Sequence, residues 1–316
     1  MPATMTTPKT MSAVVIHAFG GPEMLRSEDL PVPQPKENEV LVRIQAAGVN
    51  PVDWKIREGA LGKQPLPMIM GIDFSGTVEQ VGHGVEDVQV GDDVFGQVVS
   101  DESGSYAEYC VAPDYAFAVK PATIDHVQAA ALPVAALTAW QGLFDIGKIE
   151  AGQKVLIHAA AGGVGSFAVQ FAKWKSTRVI GTASTTSIEI VHDLGADEVI
   201  DYRKTRFEDE VRDVDMVFDL IGGDTQERSF KVLRPGGILV STVQPPSSDK
   251  LKQFDVRGVM MKQKPDAEDL RLIADLVSGG AVKVGIEAVL PLEQAREAQE
   301  LSQSGHAHGK IVLQVA

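Results

Sequence analysis

The stretch HAAAGGVGS, residues 158–166, decides the fold of this chain. Within it, Ala159, Gly162 and Gly165 form the pattern A-x-x-G-x-x-G. An apolar, strand-like run precedes the pattern and a helix-like run follows it, which is the context typical of a dinucleotide-binding turn. A small first residue permits the tight turn, the second position lets the backbone approach a pyrophosphate, and the third lets the helix pack closely on the strand.

The helix that begins at this turn offers free N–H groups and a partial positive charge to phosphate oxygens. We therefore predict that Ala161, Gly162, Gly163, Val164 and Gly165 bind the pyrophosphate of a dinucleotide. Local binding groups are needed because the chain has 43 acidic and 29 basic residues and a net charge of −14. The alternative is that these small residues serve only the packing of the helix.

From this motif onwards, strand-like and helix-like runs alternate, which predicts a parallel, doubly wound sheet of the Rossmann type. The preceding part of the chain is instead rich in short strand-like runs separated by Gly, Pro and Asp, which predicts a β-barrel or sandwich. The final run, KIVLQVA (310–316), suits this β-rich part better. We predict an α/β protein with one domain over 1–121 and 272–316 and a nucleotide-binding domain over 122–271.

The composition excludes several classes of function. A chain of 316 residues with 44 % hydrophobic residues can form two cored domains. Its acidity makes nucleic acids and anionic membranes unexpected partners. Cys110 is the single cysteine, which excludes a disulfide framework and any zinc site that needs two thiolates.

The N-terminal segment MPATMTTPKTM has no apolar core and does not resemble a secretory signal. The chain also has no run of 18 apolar residues that would predict a membrane-spanning helix. We expect a cytoplasmic protein in which residues 1–10 form a disordered leader. Met11 is an alternative start to Met1.

The choice of nucleotide is predicted from the residues that end the second and third strands of the Rossmann pattern. An NAD site places an acid on the ribose 2′-hydroxyl about 20 residues past the loop, and Ser184 stands there instead. Tyr202, Arg203 and Lys204 end the third strand. Hydroxyls and cations at this point favour NADPH, with Ser184 and Tyr202 as binding residues. Alternatively, Arg203 and Lys204 are solvated surface charges.

Three motifs together resemble a known family: GVNPVDWK (48–55), GIDFSGTVEQVG (71–82) and AAAGGVGS (159–166). Their order and spacing are similar to those of the zinc-independent quinone oxidoreductase and enone reductase branch of the medium-chain dehydrogenase/reductase superfamily. The resemblance covers nearly the whole chain from Met11. It implies a GroES-like β-barrel catalytic domain with an inserted Rossmann domain, NADPH as cofactor, a quinone or activated alkene as substrate, and a homodimer.

The zinc-containing branch of the same superfamily is similar in outline but differs at the metal. It places a Cys ligand in the segment that matches GVNPVDWK, where this chain has Asn50. It places a Gly-His-Glu group in the segment that matches GIDFSG, where Gly71 is followed by Ile72 and Asp73. His158 lies in a strand and is interpreted as a core histidine. We therefore predict no metal.

The resemblance assigns catalytic roles to Asn50 and Lys55. Asn50 is implied to contact the nicotinamide ribose or the substrate. Lys55 stands where many quinone reductases carry a Tyr, whereas enone reductases have a similar NPVD-x-K pattern, and we predict that it hydrogen-bonds the substrate carbonyl or stabilises an enolate. The alternative is a surface lysine beside a core Trp54. Asp53 is expected to brace the turn and Arg57 to be an exposed charge.

Four further residues are predicted to contact the cofactor. Thr138 is placed near the nicotinamide by the resemblance, while Ile221, Gly222 and Ser241 end strands at the carboxyl edge of the predicted sheet. Lys310, near the C-terminus, does not match an expected phosphate-binding position and is given no role.

The leading hypothesis is an NADPH-dependent oxidoreductase that reduces quinones or α,β-unsaturated ketones and aldehydes by direct hydride transfer without a metal. A zinc-type alcohol dehydrogenase and a non-catalytic NADPH-binding protein are the alternatives. The proton donor and the preference between quinones and enones stay open.

Overall fold

The computed structural model of the chain describes residues 7–62, 64–100 and 102–316. Residues 1–6 of the predicted leader, including Met1, lie outside the described residues. Thr10 already belongs to the first strand, so the leader ends earlier than predicted. The chain divides into two compact units. Unit 1 comprises Met1–Val134, Pro265–Ser278 and Ile286–Ala316, and unit 2 comprises Ala135–Lys264 and Gly279–Gly285.

The predicted domain boundaries, 121/122 and 271/272, differ from the limits of these units. Residues 122–134 belong to unit 1, where the N–H of Val134 donates to Asp73 Oδ1 at 3.0 Å. Residues 279–285 belong to unit 2, where the Gln170 side chain hydrogen-bonds both the N–H and the C=O of Lys283. Hydrogen bonds between residues this far apart in the sequence cannot be predicted from the composition along the chain.

Most of the strands follow runs of the sequence that contain β-branched or aromatic residues. In chain order they are β1 (Thr10–Ile16), β2 (Arg26–Pro31), β3 (Glu39–Val49), β4 (Met68–Ile69), β5 (Asp73–Val81), β6 (Asp93–Gln97), β7 (Tyr109–Pro113), β8 (Phe117–Val119), β9 (Lys154–Ile157), β10 (Arg178–Ala183), β11 (Glu198–Asp201), β12 (Val214–Asp219), β13 (Leu233–Ser241), β14 (Arg257–Met260), β15 (Ile286–Pro291) and β16 (Lys310–Gln314).

Both units contain helices, and most of the helices of unit 2 lie between successive strands of its sheet. The helices are α1 (Pro51–Arg57), α2 (His126–Ala130), α3 (Pro133–Trp140), α4 (Gly163–Trp174), α5 (Ile188–Asp193), α6 (Phe207–Glu210), α7 (Gly223–Ser229), α8 (Ser248–Phe254), α9 (Ala267–Ser278) and α10 (Ala295–Gln303). A π-helical segment, Gln141–Ile146, continues α3. In the described ranges we find no helix with the length and apolar character needed to cross a bilayer.

Unit 1 is rich in antiparallel sheet. Its larger sheet has the order β15-β16-β3-β5-β6-β8, with β7 pairing β3, and its smaller sheet has the order β2-β1-β4. The last strand, β16, pairs antiparallel with β3, with Ile311 opposite Val49. This pairing confirms the prediction that the C-terminal strand returns to the β-rich part of the chain.

Unit 2 contains a parallel sheet with the order β11-β10-β9-β12-β13-β14. Numbered within the unit, this is the order 3-2-1-4-5-6 of a Rossmann sheet. The central strand β9 is apolar, and Val155, Leu156 and Ile157 are fully buried. The predicted α/β fold, with a β-rich domain and a Rossmann domain, is therefore confirmed.

His158 is a core residue, as predicted. Its ring nitrogens lie 3.1 Å from Thr182 Oγ1 and 2.9 Å from Ser229 Oγ, and burial lowers its pKa to about 4. A neutral imidazole between two hydroxyls is the arrangement expected of a satisfied buried histidine.

The prediction that Arg57 is exposed is wrong, because its side chain is fully buried at the end of α1. The guanidinium donates to the carbonyl of Gly20 at 3.1 Å, to Gln299 Oε1 at 2.8 Å and to Gln303 Oε1 at 3.2 Å. The two glutamines lie on α10, so Arg57 joins α1 to the C-terminal part of unit 1. These hydrogen bonds fix helix α1, which carries Lys55 and begins directly after Asn50.

Replacing Arg57 by Met should lower the free energy of unfolding by about 2–4 kcal/mol, because the buried amide oxygen of Gln299 and the partly buried carbonyl of Gly20 would lose their donor. The matched control is Arg296→Met on α10, whose exposed guanidinium pairs with Glu300. We expect a loss below about 0.5 kcal/mol for that control. Urea unfolding followed by tryptophan fluorescence measures both, and equal midpoints would contradict the structural role of Arg57.

Candidate functional site

The turn after β9 has the geometry that a pyrophosphate requires. Ala159 adopts a left-handed conformation with φ of 49°, and Gly162 precedes the first residue of α4 without a side-chain cap. The N–H groups of the first turn of α4 therefore have no side-chain partner and can donate to an anion. The residues present thus fit a dinucleotide phosphate.

The two motif glycines are needed for different reasons. A Cβ at Gly165 would lie 2.1 Å from the carbonyl oxygen of Ala159 and 2.8 Å from Cα of Ala160, so a larger residue cannot fit against the turn. A Cβ at Gly162 would meet only the Ala159 oxygen, at 3.3 Å. Gly165 is therefore needed for the packing of α4, and Gly162 leaves open space above the turn.

The other predicted cofactor residues of unit 2 collect at the carboxyl ends of neighbouring strands. Ser184 follows β10, Tyr202 follows β11, and Ile221 and Gly222 follow β12, while Ser241 is the last residue of β13. Tyr202 and Ile221 are more than half exposed, which leaves their side chains accessible. In a parallel sheet these strand ends share one edge, so the structure places these residues along the same edge of the sheet of unit 2.

Asp219, which the sequence analysis did not single out, organises the end of β12. Its Oδ1 accepts the N–H groups of Ile221 at 3.0 Å and Gly222 at 2.8 Å. Its Oδ2 accepts Gln226 Nε2 at 2.9 Å and Ser241 Oγ at 2.8 Å. The carboxylate thereby holds the loop in which Gly222 adopts φ of 75°. The Ser241 hydroxyl is buried in this network, where it braces the strand ends.

Asp201, at the end of β11, is a second acid that the sequence analysis did not use. It lies beside the hydroxyl-rich turn, accepting Thr185 Oγ1 at 2.6 Å and the N–H of Arg203 at 3.0 Å. The Thr185 hydrogen bond lowers the pKa of Asp201, so the group is an anion at neutral pH. Lys204 Nζ, 3.3 Å away, compensates its charge. Ser184 itself is half-buried and hydrogen-bonds Ser187.

Thr138 lies buried on α3 of unit 2. Its contact with a nicotinamide stays a prediction, as do the contacts predicted for the other cofactor residues.

In unit 1, the backbone of Asn50 is fixed where α1 begins. The N–H of Asn50 donates to Asp53 Oδ2 at 2.8 Å, which confirms that Asp53 braces this turn. Tyr106 OH donates to the same oxygen at 2.9 Å. Burial raises the pKa of Asp53 to about 7 and raises that of Tyr106 well above its usual range.

The side chain of Asn50 belongs to a buried cluster that we call the lysine cluster: Asn50, Asp73 and Lys310. Asn50 Nδ2 donates to Asp73 Oδ2 at 2.8 Å, and Asn50 Oδ1 accepts from Lys310 Nζ. Lys310 Nζ also donates to the carbonyl of Val49 at 3.1 Å and lies 3.9 Å from Asp73 Oδ2. Each of the three residues is at most 3 % exposed.

Burial disfavours the charged forms of both Asp73 and Lys310 in the lysine cluster. It raises the pKa of Asp73 to about 6, although the ammonium of Lys310 opposes the rise. Burial likewise lowers the pKa of Lys310, and Asp73 opposes that change. The hydrogen bonds and the 3.9 Å separation fit an ammonium–carboxylate pair at neutral pH.

Lys55 lies outside this cluster. It is half-buried on α1, and its ammonium lies 5.5 Å from the ring centroid of Trp54, within the range of a cation–π contact. Trp54 is half-buried rather than fully in the core. The structure therefore leaves the Lys55 side chain accessible, and its catalytic role stays a prediction.

Metal-binding side chains do not converge in the described ranges: no group of three His, Cys, Asp or Glu residues lies close enough to hold a metal ion. At the positions that match the zinc-ligand segments, Asn50 and Asp73 both contact the ammonium of Lys310. Cys110 is buried in β7, where desolvation raises the pKa of its thiol.

Comparisons with known proteins agree with this geometry. Residues 36–122 match the alcohol dehydrogenase GroES-like domain, and residues 194–313 match the family described as zinc-binding dehydrogenase. An NADPH-dependent alkenal/one oxidoreductase of Arabidopsis thaliana is 36 % identical over 98 % of this chain and 81 % of its own length.

Two solved structures are also similar. The quinone oxidoreductase of Coxiella burnetii superposes with a TM-score of 0.92 at 36 % identity, covering 98 % of this chain and 100 % of the other. The Escherichia coli quinone oxidoreductase complexed with NADPH gives 0.88 at 29 % identity, covering 96 % and 100 %. The chain belongs to the quinone oxidoreductase and enone reductase branch of the medium-chain dehydrogenase/reductase superfamily.

The two glycines of the turn predict two separable defects. Gly165→Ala should lower the melting temperature by about 5 °C or more, because the added Cβ overlaps backbone atoms of the turn. Gly162→Ala should leave the melting temperature within about 1 °C but weaken NADPH binding about tenfold or more, since its Cβ would occupy the space above the turn. Thermal unfolding and fluorescence titration measure these effects, and the reverse pattern would contradict the assignment.

Proposed function

We propose that this chain is an NADPH-dependent oxidoreductase that reduces quinones or α,β-unsaturated ketones and aldehydes by direct hydride transfer. The observation that carries the proposal is the uncapped start of α4 after the A-x-x-G-x-x-G turn, which fits a dinucleotide phosphate. The Arabidopsis relative is named as NADPH-dependent, and the Escherichia coli quinone oxidoreductase was solved with NADPH, which supports the same cofactor here.

Unit 2 holds the cofactor in this proposal. Ala161 to Gly165 bind the pyrophosphate, and Ser184 and Tyr202 bind the adenosine ribose and its 2′-phosphate. The nicotinamide end is held by the remaining predicted residues, Thr138, Ile221, Gly222 and Ser241. When bound, NADPH supplies the hydride, while the protein supplies orientation and a site from which water is excluded.

Unit 1 acts on the acceptor in this proposal, through Asn50 and Lys55. Lys55 donates a hydrogen bond to the acceptor carbonyl and stabilises negative charge on its oxygen as a point charge. Asn50 contacts the acceptor or the nicotinamide ribose. Because the developing charge spreads over a phenolate or enolate, a hydrogen-bond donor is sufficient to stabilise it.

The donor set favours a reaction without a metal. A catalytic zinc ion usually has three protein ligands. Here the ammonium of Lys310 contacts both Asn50 and Asp73, so a divalent cation at that place would have to overcome the repulsion of a buried positive charge. Reduction of a simple ketone to an alcohol develops a full alkoxide charge and is therefore a less suitable reaction than reduction of a quinone or an enone.

We further propose a cytoplasmic homodimer. Strand β14 lies at the edge of the parallel sheet of unit 2, and its Val259 and Met260 are more than a third exposed. An edge strand presents N–H and C=O groups that can pair with a second chain. The buried free thiol of Cys110 suits a reducing compartment.

An acceptor panel with both nicotinamides tests the function. We expect oxidation of NADPH with quinones or enones and at least about tenfold weaker binding of NADH, because Ser184 replaces the acid of an NAD site. Absorbance at the nicotinamide band and fluorescence titration give the rates and affinities. No turnover with any acceptor would favour a non-catalytic binder, and equal affinities for NADPH and NADH would contradict the nucleotide preference attributed to Ser184.

Lys55→Ala should lower kcat/KM for an enone about 10- to 100-fold, the range of a single electrostatic or proton-donating group. The affinity for NADPH should hardly change, because Lys55 belongs to unit 1. Lys175→Ala, at the end of α4, is a control for the loss of a surface lysine. If both variants turn over like the unaltered protein, Lys55 is only a surface lysine.

A further inference from the structure

The side chain of Lys310 is almost completely buried. It is the first residue of β16 and is 3 % exposed. Its ammonium donates to the carbonyl of Val49 and to Asn50 Oδ1, and it lies 3.9 Å from Asp73 Oδ2. Lysine is rarely buried to this extent, because an ammonium loses much solvation free energy unless it is paired. The position therefore calls for a physical reason.

The reason lies in the amide of Asn50. The oxygen and nitrogen ends of an Asn side chain have nearly the same shape, so packing alone hardly distinguishes the two orientations of the amide. Here a cation lies at the oxygen end and a carboxylate at the nitrogen end. Rotation of the amide by half a turn would place its NH₂ group against Lys310 and its C=O against Asp73. Both contacts would be repulsive, so the charge pair selects one orientation.

The surroundings strengthen this selection. The backbone of Asn50 is held by Asp53, so the side chain cannot shift as a whole. The second oxygen of Asp73 accepts the N–H of Val134, which fixes the carboxylate. One N–H bond of the Asn50 amide is used by Asp73, which leaves the second N–H of the amide as a further donor.

We propose that Lys310 is a positioning residue of the oxidoreductase: paired with Asp73, it locks the Asn50 amide in the orientation that presents an N–H to the acceptor or to the nicotinamide ribose. The inference rests on the proposed function, since it explains how Asn50 is oriented for that reaction. Lys310 itself touches neither reactant in this account. It acts through Asn50 alone.

A double-mutant cycle tests whether Lys310 acts through Asn50. With NADPH and an enone that the unaltered protein reduces, Lys310→Met should lower kcat/KM about tenfold or more, within the range of coupling between contacting residues. In an Asn50→Ala background the same substitution should change kcat/KM by less than about threefold. An equal decrease of kcat/KM in both backgrounds would overturn the proposal. A lysine with a purely structural role would lower kcat/KM by the same factor whether or not Asn50 is present.

The variant Asp73→Asn/Lys310→Met covers the case in which Lys310→Met fails to fold. Both buried charges are removed together, so the melting temperature should recover towards that of the unaltered protein. The orientation of Asn50 is no longer selected, so kcat/KM should stay low. Recovery of kcat/KM together with stability would overturn the proposal. Lys120→Met is the matched control, because Lys120 is nearly buried in unit 1 beside Asp93 and outside the lysine cluster.

A readout without turnover separates this inference from the proposed function. The side-chain amide signal of Asn50 in a ¹⁵N NMR spectrum can be assigned by its absence in Asn50→Ala. It should shift and exchange faster with solvent in Asp73→Asn/Lys310→Met but stay unchanged in Lys120→Met. An unaltered protein that reduces no acceptor contradicts the proposed function. An Asn50 signal that is the same with and without the charge pair contradicts the positioning role.

Discussion

Charges that leave water must be compensated by neighbouring groups, and this constraint shapes the candidate site in each unit. In unit 1, the ammonium of Lys310 and the carboxylate of Asp73 compensate each other and hold the Asn50 amide between them. In unit 2, the carboxylate of Asp219 receives four hydrogen bonds and fixes the loop at the end of its strand. The arrangement of side chains in both candidate sites thus follows from the need to compensate buried charges.

The same constraint bears on the chemistry. At the positions matching the zinc-ligand segments of related enzymes, this chain carries an amide and a carboxylate in contact with an ammonium. An ammonium donates hydrogen bonds but cannot accept a lone pair, so it cannot serve as a Lewis acid. Acceptors that spread negative charge into a phenolate or enolate require less stabilisation than a developing alkoxide. The family relationship and the buried lysine therefore point to the same class of acceptors.

Local features of the sequence predicted most of the fold, because turns, strands and helices depend mainly on residues that are close together along the chain. The turn around Gly162 and Gly165 and the alternation of strands and helices were sufficient for the Rossmann unit. Arg57 and Lys310 were not recognised, because their partners are distant along the chain: Gln299 lies 242 residues from Arg57, and Asn50 lies 260 residues from Lys310. Asp201 and Asp219, each the last residue of a strand, carried a local signal that could have identified them.

In the proposed reaction, hydride passes directly from NADPH to an activated acceptor without a metal. The most direct measurement is turnover of an enone by chelator-treated protein with NADPH deuterated at either face of nicotinamide C4. We expect undiminished turnover and, with one of the two labels, a product carrying one deuterium at the carbon β to the carbonyl. Turnover that is lost on chelation and restored by zinc, or a product without deuterium from either label, would contradict the proposed reaction.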